Sequence, residues 1–152
     1  MQPVTVETMV QRPVAEVYEH LAVLANHEPF LDHFLVDWSF SGPRQGVGAK
    51  GRARANTTGS QDWTEFEIVE AEAPRRLVED GLGNGGKRHT RGTYELQPLD
   101  GDATRVSFTL EWLEASRAER LCPPLTRAFI RRPNAKAMRR LAAQLRDQAP
   151  AR

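Results

Sequence analysis

Cysteine is nearly absent from this chain of 152 residues, and long apolar runs are missing altogether. The single Cys122 cannot form an intramolecular disulfide and offers no cysteine cluster for a metal. No apolar run approaches the roughly 20 residues that a membrane-spanning helix needs. Residues 1–7 contain neither the basic nor the apolar region of a signal peptide. We therefore expect a cytoplasmic protein with no membrane span.

Aromatic residues are also sparse, at 7% of the chain, but the remaining composition is typical of a globular protein. Hydrophobic residues make up 39% and charged residues 27%. A chain of this length can bury roughly 68–70% of its unfolded surface, so it needs no disulfide or metal to fold. We expect one domain over residues 1–149 and a short tail at 150–152.

The net charge of +1 conceals an uneven distribution. Residues 116–152 carry 10 Lys/Arg and 2 Asp/Glu, whereas residues 1–115 carry 11 and 18. A basic segment can mark a nucleic-acid site, but aromatic residues are not interleaved with these arginines. Met138, Leu141 and Leu145 recur instead at helical spacing, which predicts an amphipathic helix. We therefore expect no nucleic-acid partner, with Arg139 and Arg140 solvated or paired to acidic residues.

The apolar periodicity predicts an α+β fold with an antiparallel sheet. Val4–Val10 alternates as a strand, and helical spacing follows Pro13 and then covers His27–Phe34. From there the period is two, which places Val36, Trp38 and Phe40 on one face of the first of these strands. Strands are predicted around 36–40, 49–56, 61–69, 77–80, 90–96 and 105–112. The turn 57–60 closes a predicted hairpin. A long C-terminal helix follows, in which Pro133 should produce a kink or a restart and Phe129 joins the apolar stripe.

Two motifs suggest cofactors, and neither is supported by its context. Gly46–Gly51 matches the three-glycine dinucleotide pattern, but the next residues form no helical stripe, so we assign a hairpin loop. His27 and His33 lack the one-turn spacing of a zinc-binding pair. We predict no metal and no cofactor, and Cys122 is expected to be structural. The acidic residues Glu79, Asp80 and Glu95 are each compatible with surface positions.

Five segments of the chain follow one another in a characteristic order. They are Pro3–Val10 with the Gln11–Tyr18 segment after it, Gly46-Val47-Gly48, Glu70–Leu77, Tyr94–Pro98 with Ala103–Val106, and Arg139–Leu145. Taken in this order, they resemble the START-like superfamily, in its polyketide cyclase/dehydrase and lipid-transport branch. The resemblance implies a helix-grip fold, in which a curved antiparallel sheet of about six to seven strands surrounds a long C-terminal helix. Two short helices would follow the first strand, and a cavity would lie between sheet and helix.

Functions within this superfamily are diverse, so the fold leaves three hypotheses open. The first is a binding module that holds a small hydrophobic ligand, lipid-like or polyketide-like, in an apolar cavity. It is motivated by the small residues Gly51, Ala53 and Ala55 opposite large aromatic ones. We expect the ligand-binding residues to be Phe30, Phe34, Trp38, Phe40, Ala53, Thr64, Phe66, Thr90, Tyr94, Phe108, Phe129 and Met138.

The second hypothesis is an aromatase/cyclase acting on a polyketide-like substrate. The resemblance associates that activity with an arginine and hydroxyl groups on the central strands. Arg52, Arg54 and Arg91 are all assigned to the outward face, which argues against it. Polar groups that could still orient a substrate are those of Tyr94, Thr64, Thr90 and Asp62. The third hypothesis is a protein-interaction domain that binds no ligand.

Overall fold

A computed structural model describes residues 1–56 and 62–148. The predicted turn at 57–60 and the tail at 150–152 lie outside the described residues. Seven strands form one antiparallel sheet: β1 (Val4–Val10), β2 (Leu35–Ser41), β3 (Lys50–Ala55), β4 (Trp63–Glu72), β5 (Arg76–Gly83), β6 (Arg88–Leu99) and β7 (Ala103–Glu114). Their order is β1-β7-β6-β5-β4-β3-β2, so nearly every strand pairs with its neighbour in sequence and only β1 joins from a distance.

Helical segments follow β1 and β7, and a short 3-10 turn (Asn84–Gly86) also connects β5 to β6. The segments after β1 and β7 carry most of the helical residues. They are α1 (Val14–Ala22), a 3-10 turn (Leu24–His27), α2 (Glu28–Leu31), α3 (Arg117–Arg120) and α4 (Pro123–Asp147). The long helix α4 lies along β1 and contacts α2, while α1 contacts β5, β6 and β7. The predicted helix-grip arrangement is therefore confirmed, including the two short helical segments after the first strand.

The register of the strands decides which side chains face the helices. Tyr94 pairs with Leu77 on one side and with Phe108 on the other, and all three side chains are buried. Side chains alternate across a strand, so every second residue from these positions shares the inner face. Met138 and Leu141 of α4 belong to the same buried cluster. The core is thus closed by the C-terminal half of α4.

The face assignment within β2 differs from the prediction because of a β-bulge. Asp37 has a φ of 56°, and the register with β3 shifts between Val36 and Ser39. The extra residue reverses the alternation at this point. Trp38 therefore shares the inner face with Phe40, as expected, whereas Val36 lies on the outer face.

Helix α4 runs without interruption through Pro133, but its two halves differ in burial. Phe129 was expected on the apolar stripe, yet 52% of its surface is exposed. Nine residues separate it from Met138, which is two and a half turns of an α-helix, so the two side chains point in opposite directions. The assignment of Phe129 to the ligand-binding face was therefore wrong.

Arg140 is paired to an acidic residue, which is one of the two states expected for it. Its guanidinium lies 2.6 Å from the Asp32 carboxylate and donates to His33 Nδ1 at 2.8 Å. The other ring nitrogen of His33 donates to the Pro133 carbonyl, at 2.8 Å. These bonds fasten the end of α2 to the middle of α4. Arg139, in contrast, is exposed, as expected.

Candidate functional site

Three aromatic side chains form a partly exposed wall on the inner face, near the β2 edge of the sheet. Trp38 stacks on Phe40 and on Phe66, with ring centroids 5.6 Å apart in both pairs. The rings lie beside Gly51, where a side chain would come within 3.5 Å of Phe40. Phe40 retains 40% exposure, so the wall is open to a further apolar group.

The structure brings most of the predicted ligand-binding residues to this inner face. The buried members of this set are Phe30, Ala53, Thr64, Tyr94, Phe108 and Met138. The half-buried members are Phe34, Trp38, Phe66 and Thr90, and the most exposed one is Phe40. Phe129 does not join them, for the reason given above. Which of these side chains contact a ligand stays a prediction.

The small residues of β3, which motivated the cavity hypothesis, have a different structural role. A side chain at Gly51 would meet Leu24 at 3.2 Å, because the 3-10 turn packs directly on this strand. Ala53 is fully buried within the core cluster. The small side chains therefore admit the 3-10 turn, and the exposed aromatic wall beside them remains as the apolar surface for a ligand.

A buried pair of polar side chains lies deeper on the inner face, and neither was predicted as a site residue. Glu79 of β5 faces Gly92 of β6, one row along from Tyr94. His27 reaches it from the 3-10 turn, with 3.7 Å between His27 Nδ1 and Glu79 Oε2. Neither atom has a hydrogen-bond partner, and both side chains are almost completely buried. Unpartnered buried polar atoms are uncommon because they lose their hydration without compensation.

Burial shifts the pKa of both groups toward their neutral forms. It raises the pKa of Glu79 to about 7 and lowers the pKa of His27 to about 4. The Leu21 carbonyl accepts a hydrogen bond from His27 Nε2 at 2.8 Å, which opposes the shift only in part. The Tyr94 ring lies 5.5 Å from His27, and burial raises its pKa as well. The inner face thus holds a cluster that is mainly uncharged between about pH 4 and about pH 7.

Arg88 supplies an inward arginine at the start of β6. Its guanidinium donates to Thr64 Oγ1 at 3.2 Å and lies 3.5 Å from the Glu119 carboxylate of α3. A Cβ at Gly83 would come within 2.5 Å of the guanidinium, so a larger residue there would displace the arginine from this position. The sequence analysis began this strand at residue 90 and therefore made no assignment for Arg88. The alternation of β6 could have revealed the position of Arg88, because Arg88, Thr90 and Tyr94 are separated by even numbers of residues and therefore share one face of the strand.

A groove of about 460 Å³ crosses the opposite face of the sheet, and charged side chains are more frequent in its lining than on the inner face. Most of its lining side chains have the outward parity, including Lys50, Arg52, Glu65 and Glu67. These charges pair across the strands, Lys50 with Glu67 at 3.4 Å and Arg52 with Glu65 at 3.9 Å. Because these charged groups already have partners, we place the candidate site on the inner face.

Within residues 1–56 and 62–148, no group of three or more His, Cys, Asp or Glu side chains is arranged to hold a metal ion. None of the helices in this part of the chain is both long enough and apolar enough to cross a membrane.

The sheet, the enclosing C-terminal helix and the partly apolar inner face define a helix-grip protein of the START-like class. The chain belongs to the polyketide cyclase / dehydrase and lipid transport family, whose model matches residues 1–149. A comparison with curated proteins found no match.

Solved structures of proteins from different organisms have the same fold. The Zhui aromatase/cyclase from Streptomyces sp. R1128 is 17% identical, with a TM-score of 0.76 over 95% of this chain and 93% of that one. A protein from Thermus thermophilus is 19% identical, with a TM-score of 0.72 over 95% and 97%. The major latex-like protein 151 from Panax ginseng is 11% identical, with a TM-score of 0.71 over 94% and 96%. At these identities the likeness concerns the fold.

Proposed function

We propose that the protein binds a small hydrophobic molecule against the inner face of its sheet. The observation that carries the proposal is the stacked wall of Trp38, Phe40 and Phe66, which is only partly covered by the protein itself. Ligand sites are concave, mostly apolar surfaces with a few polar groups. Membership of a family that includes lipid transport supports the same reading. The cytoplasmic location stays a prediction.

A titration with the neutral fluorescent probe N-phenyl-1-naphthylamine tests this proposal. Trp38 and Trp63 provide a matched pair, because Trp63 lies on the outer face beneath the Arg52 guanidinium, 3.9 Å from its ring centre. We expect the parent protein to bind one probe molecule, Trp38→Ala to weaken binding ~tenfold, and Trp63→Ala to leave it unchanged. Equal effects of both substitutions, or no binding by the parent, would contradict the proposal.

An aromatase/cyclase activity is the second candidate, favoured by the inward Arg88 and the buried Glu79. A carboxyl group with a pKa near 7 can donate a proton at neutral pH, as general-acid catalysis requires. The test is incubation with a linear poly-β-ketone thioester, followed by the absorbance of a new aromatic ring. This candidate predicts ring formation by the parent and loss of at least ~100-fold in Glu79→Gln. No ring formation above the uncatalysed rate would reject it.

A further inference from the structure

Glu79 and His27 face each other at a distance that leaves them unbonded but allows a third atom, to one side of the line that joins them, to bond to both. The 3.7 Å between Oε2 and Nδ1 exceeds the length of a hydrogen bond. It is less than twice the usual length of about 2.8 Å, so a single oxygen can lie within bonding distance of both atoms. The geometry admits one oxygen as a bridge.

The chemistry of the two groups specifies what that oxygen must be. His27 Nε2 lies 2.8 Å from the Leu21 carbonyl, which can only accept, so Nε2 carries the ring hydrogen. In the neutral ring Nδ1 is then a bare acceptor. Burial keeps the Glu79 carboxyl protonated below about pH 7, which makes it a donor. The bridging atom must therefore accept from Glu79 and donate to His27, as the oxygen of a hydroxyl group does.

The other groups that face this pair do not supply a positive charge. Tyr94 approaches from β6, and its own ionisation is disfavoured by Glu79. Burial also lowers the pKa of His20 of α1 below its usual value, which disfavours a positive charge there. An anionic ligand group would thus meet a neutral acceptor and an acidic carboxyl without a compensating cation, a costly arrangement for a buried charge.

The geometry points to a polar subsite in which Glu79 and His27 recognise the hydroxyl group of a neutral, hydroxylated hydrophobic ligand. This inference rests on the proposed function, because the aromatic wall would hold the apolar body of the same molecule. It narrows the ligand class to uncharged alcohols or phenols, in preference to hydrocarbons and to carboxylates such as fatty acids.

Three probes with one ring system separate these classes: 2-naphthol, naphthalene and 2-naphthoate. We would measure their affinities for the full chain by calorimetry at about pH 6, where Glu79 retains its proton. A site built to bond a hydroxyl disfavours the analogue that lacks it, since its polar atoms then stay unpaired. We expect 2-naphthol to bind ~tenfold or more tightly than naphthalene, and 2-naphthoate to bind more weakly than 2-naphthol.

Two substitutions assign the preference to Glu79. In Glu79→Leu we expect the ratio between 2-naphthol and naphthalene to fall to about one. In Glu79→Gln the amide N–H can donate in place of the protonated carboxyl, so the ratio should remain within ~threefold of the parent. A preference that survives in Glu79→Leu would overturn the inference.

The outcomes also separate this inference from the proposed function. If 2-naphthol and naphthalene bind the parent equally, and Trp38→Ala weakens both, the hydrophobic site stands and the hydroxyl subsite is wrong. If none of the three probes binds, both proposals fail.

Discussion

Arg88 of β6 and Glu119 of α3 form an ion pair, 3.5 Å between Nη1 and Oε1, that ties the segment before the C-terminal helix to the inner face of the sheet. Glu119 also completes a capping box with Ser116, and its carbonyl accepts from Thr126 at 2.8 Å. The same guanidinium contacts Thr64, which lies on the strand that carries Phe66. We therefore predict that this ion pair affects access to the aromatic wall.

We expect Glu119→Gln to speed the release of N-phenyl-1-naphthylamine by ~threefold or more while changing stability by no more than about 1 kcal/mol. Glutamine preserves the capping box but removes the charge that holds Arg88. Stopped-flow dissociation measures the rate. Glu111→Gln, at an exposed position of β7, is the control and should leave it unchanged. Equal release rates for Glu119→Gln and the parent would show that the ion pair does not control access.

The buried Glu79 predicts a pH-dependent difference in stability. Its pKa rises from 4.5 to about 7 on folding, so the unfolded chain loses the proton first and folding stability falls as the pH rises between these values. Glu79→Gln should therefore unfold with a free energy about 1–3 kcal/mol larger than the parent at pH above about 7. The gain should vanish below about pH 4.5, where both states are protonated.

Urea unfolding at about pH 4 and about pH 8 measures this difference. Burial lowers the pKa of His27 in the folded chain, so the unfolded chain takes up the proton first. The free energy of unfolding therefore decreases as the pH falls from 6.5 towards about 4. That decrease is present in both proteins and is expected to cancel in the comparison. A stability difference of the same size at both pH values would contradict the burial of an ionisable Glu79.

Ala53→Phe tests the packing of β3. Ala53 is fully buried, and the neighbouring Gly51 already contacts Leu24, so an added ring has no space. We expect a loss of about 1–3 kcal/mol in the free energy of unfolding, measured by thermal or urea melts. Lys50→Phe, on the outer face of the same strand, should cost less than about 1 kcal/mol. Full stability of Ala53→Phe would reveal a cavity over β3.

Arg139 and Arg140 are adjacent in sequence but differ in their contacts. We expect Arg140→Glu to lower the free energy of unfolding by about 1–3 kcal/mol, because it places a negative charge beside Asp32 and removes the bond to His33. Arg139→Glu, on the exposed face, should change it by less than about 0.5 kcal/mol. Equal losses for the two variants would mean that the bonds from Arg140 to Asp32 and His33 contribute nothing to the free energy of unfolding.

The fold was predictable because long parts of its strands alternate between buried and exposed residues. Val106, Phe108 and Trp112 of β7 keep one parity over the whole strand and are all buried. Val4–Val10 was predicted at the bounds that the structure shows. Where the alternation is broken by a bulge, as at Asp37, the sequence carries no comparable signal, and the assignment of Val36 failed.

The polar part of the candidate site was not predictable from local patterns. Glu79 lies in a strand that was expected to end at residue 80, and a carboxylate in so short a segment is compatible with the surface. Its burial follows from long-range register, which pairs it with Gly92 and brings His27 over it. In the structure β5 continues to Gly83 and β6 begins at Arg88. Gly83 and Arg88 lie outside the predicted strands, yet both belong to the inner face of the sheet.

Native mass spectrometry of the full chain shows directly whether the inner face binds one small hydrophobic molecule. The protein would be purified from its host and measured before and after incubation with N-phenyl-1-naphthylamine. We expect a complex of one chain with one neutral molecule, either carried through purification or formed with the probe, and its loss in Trp38→Ala but not in Trp63→Ala. The mass of the unliganded chain alone, both before and after incubation with excess probe, would contradict it.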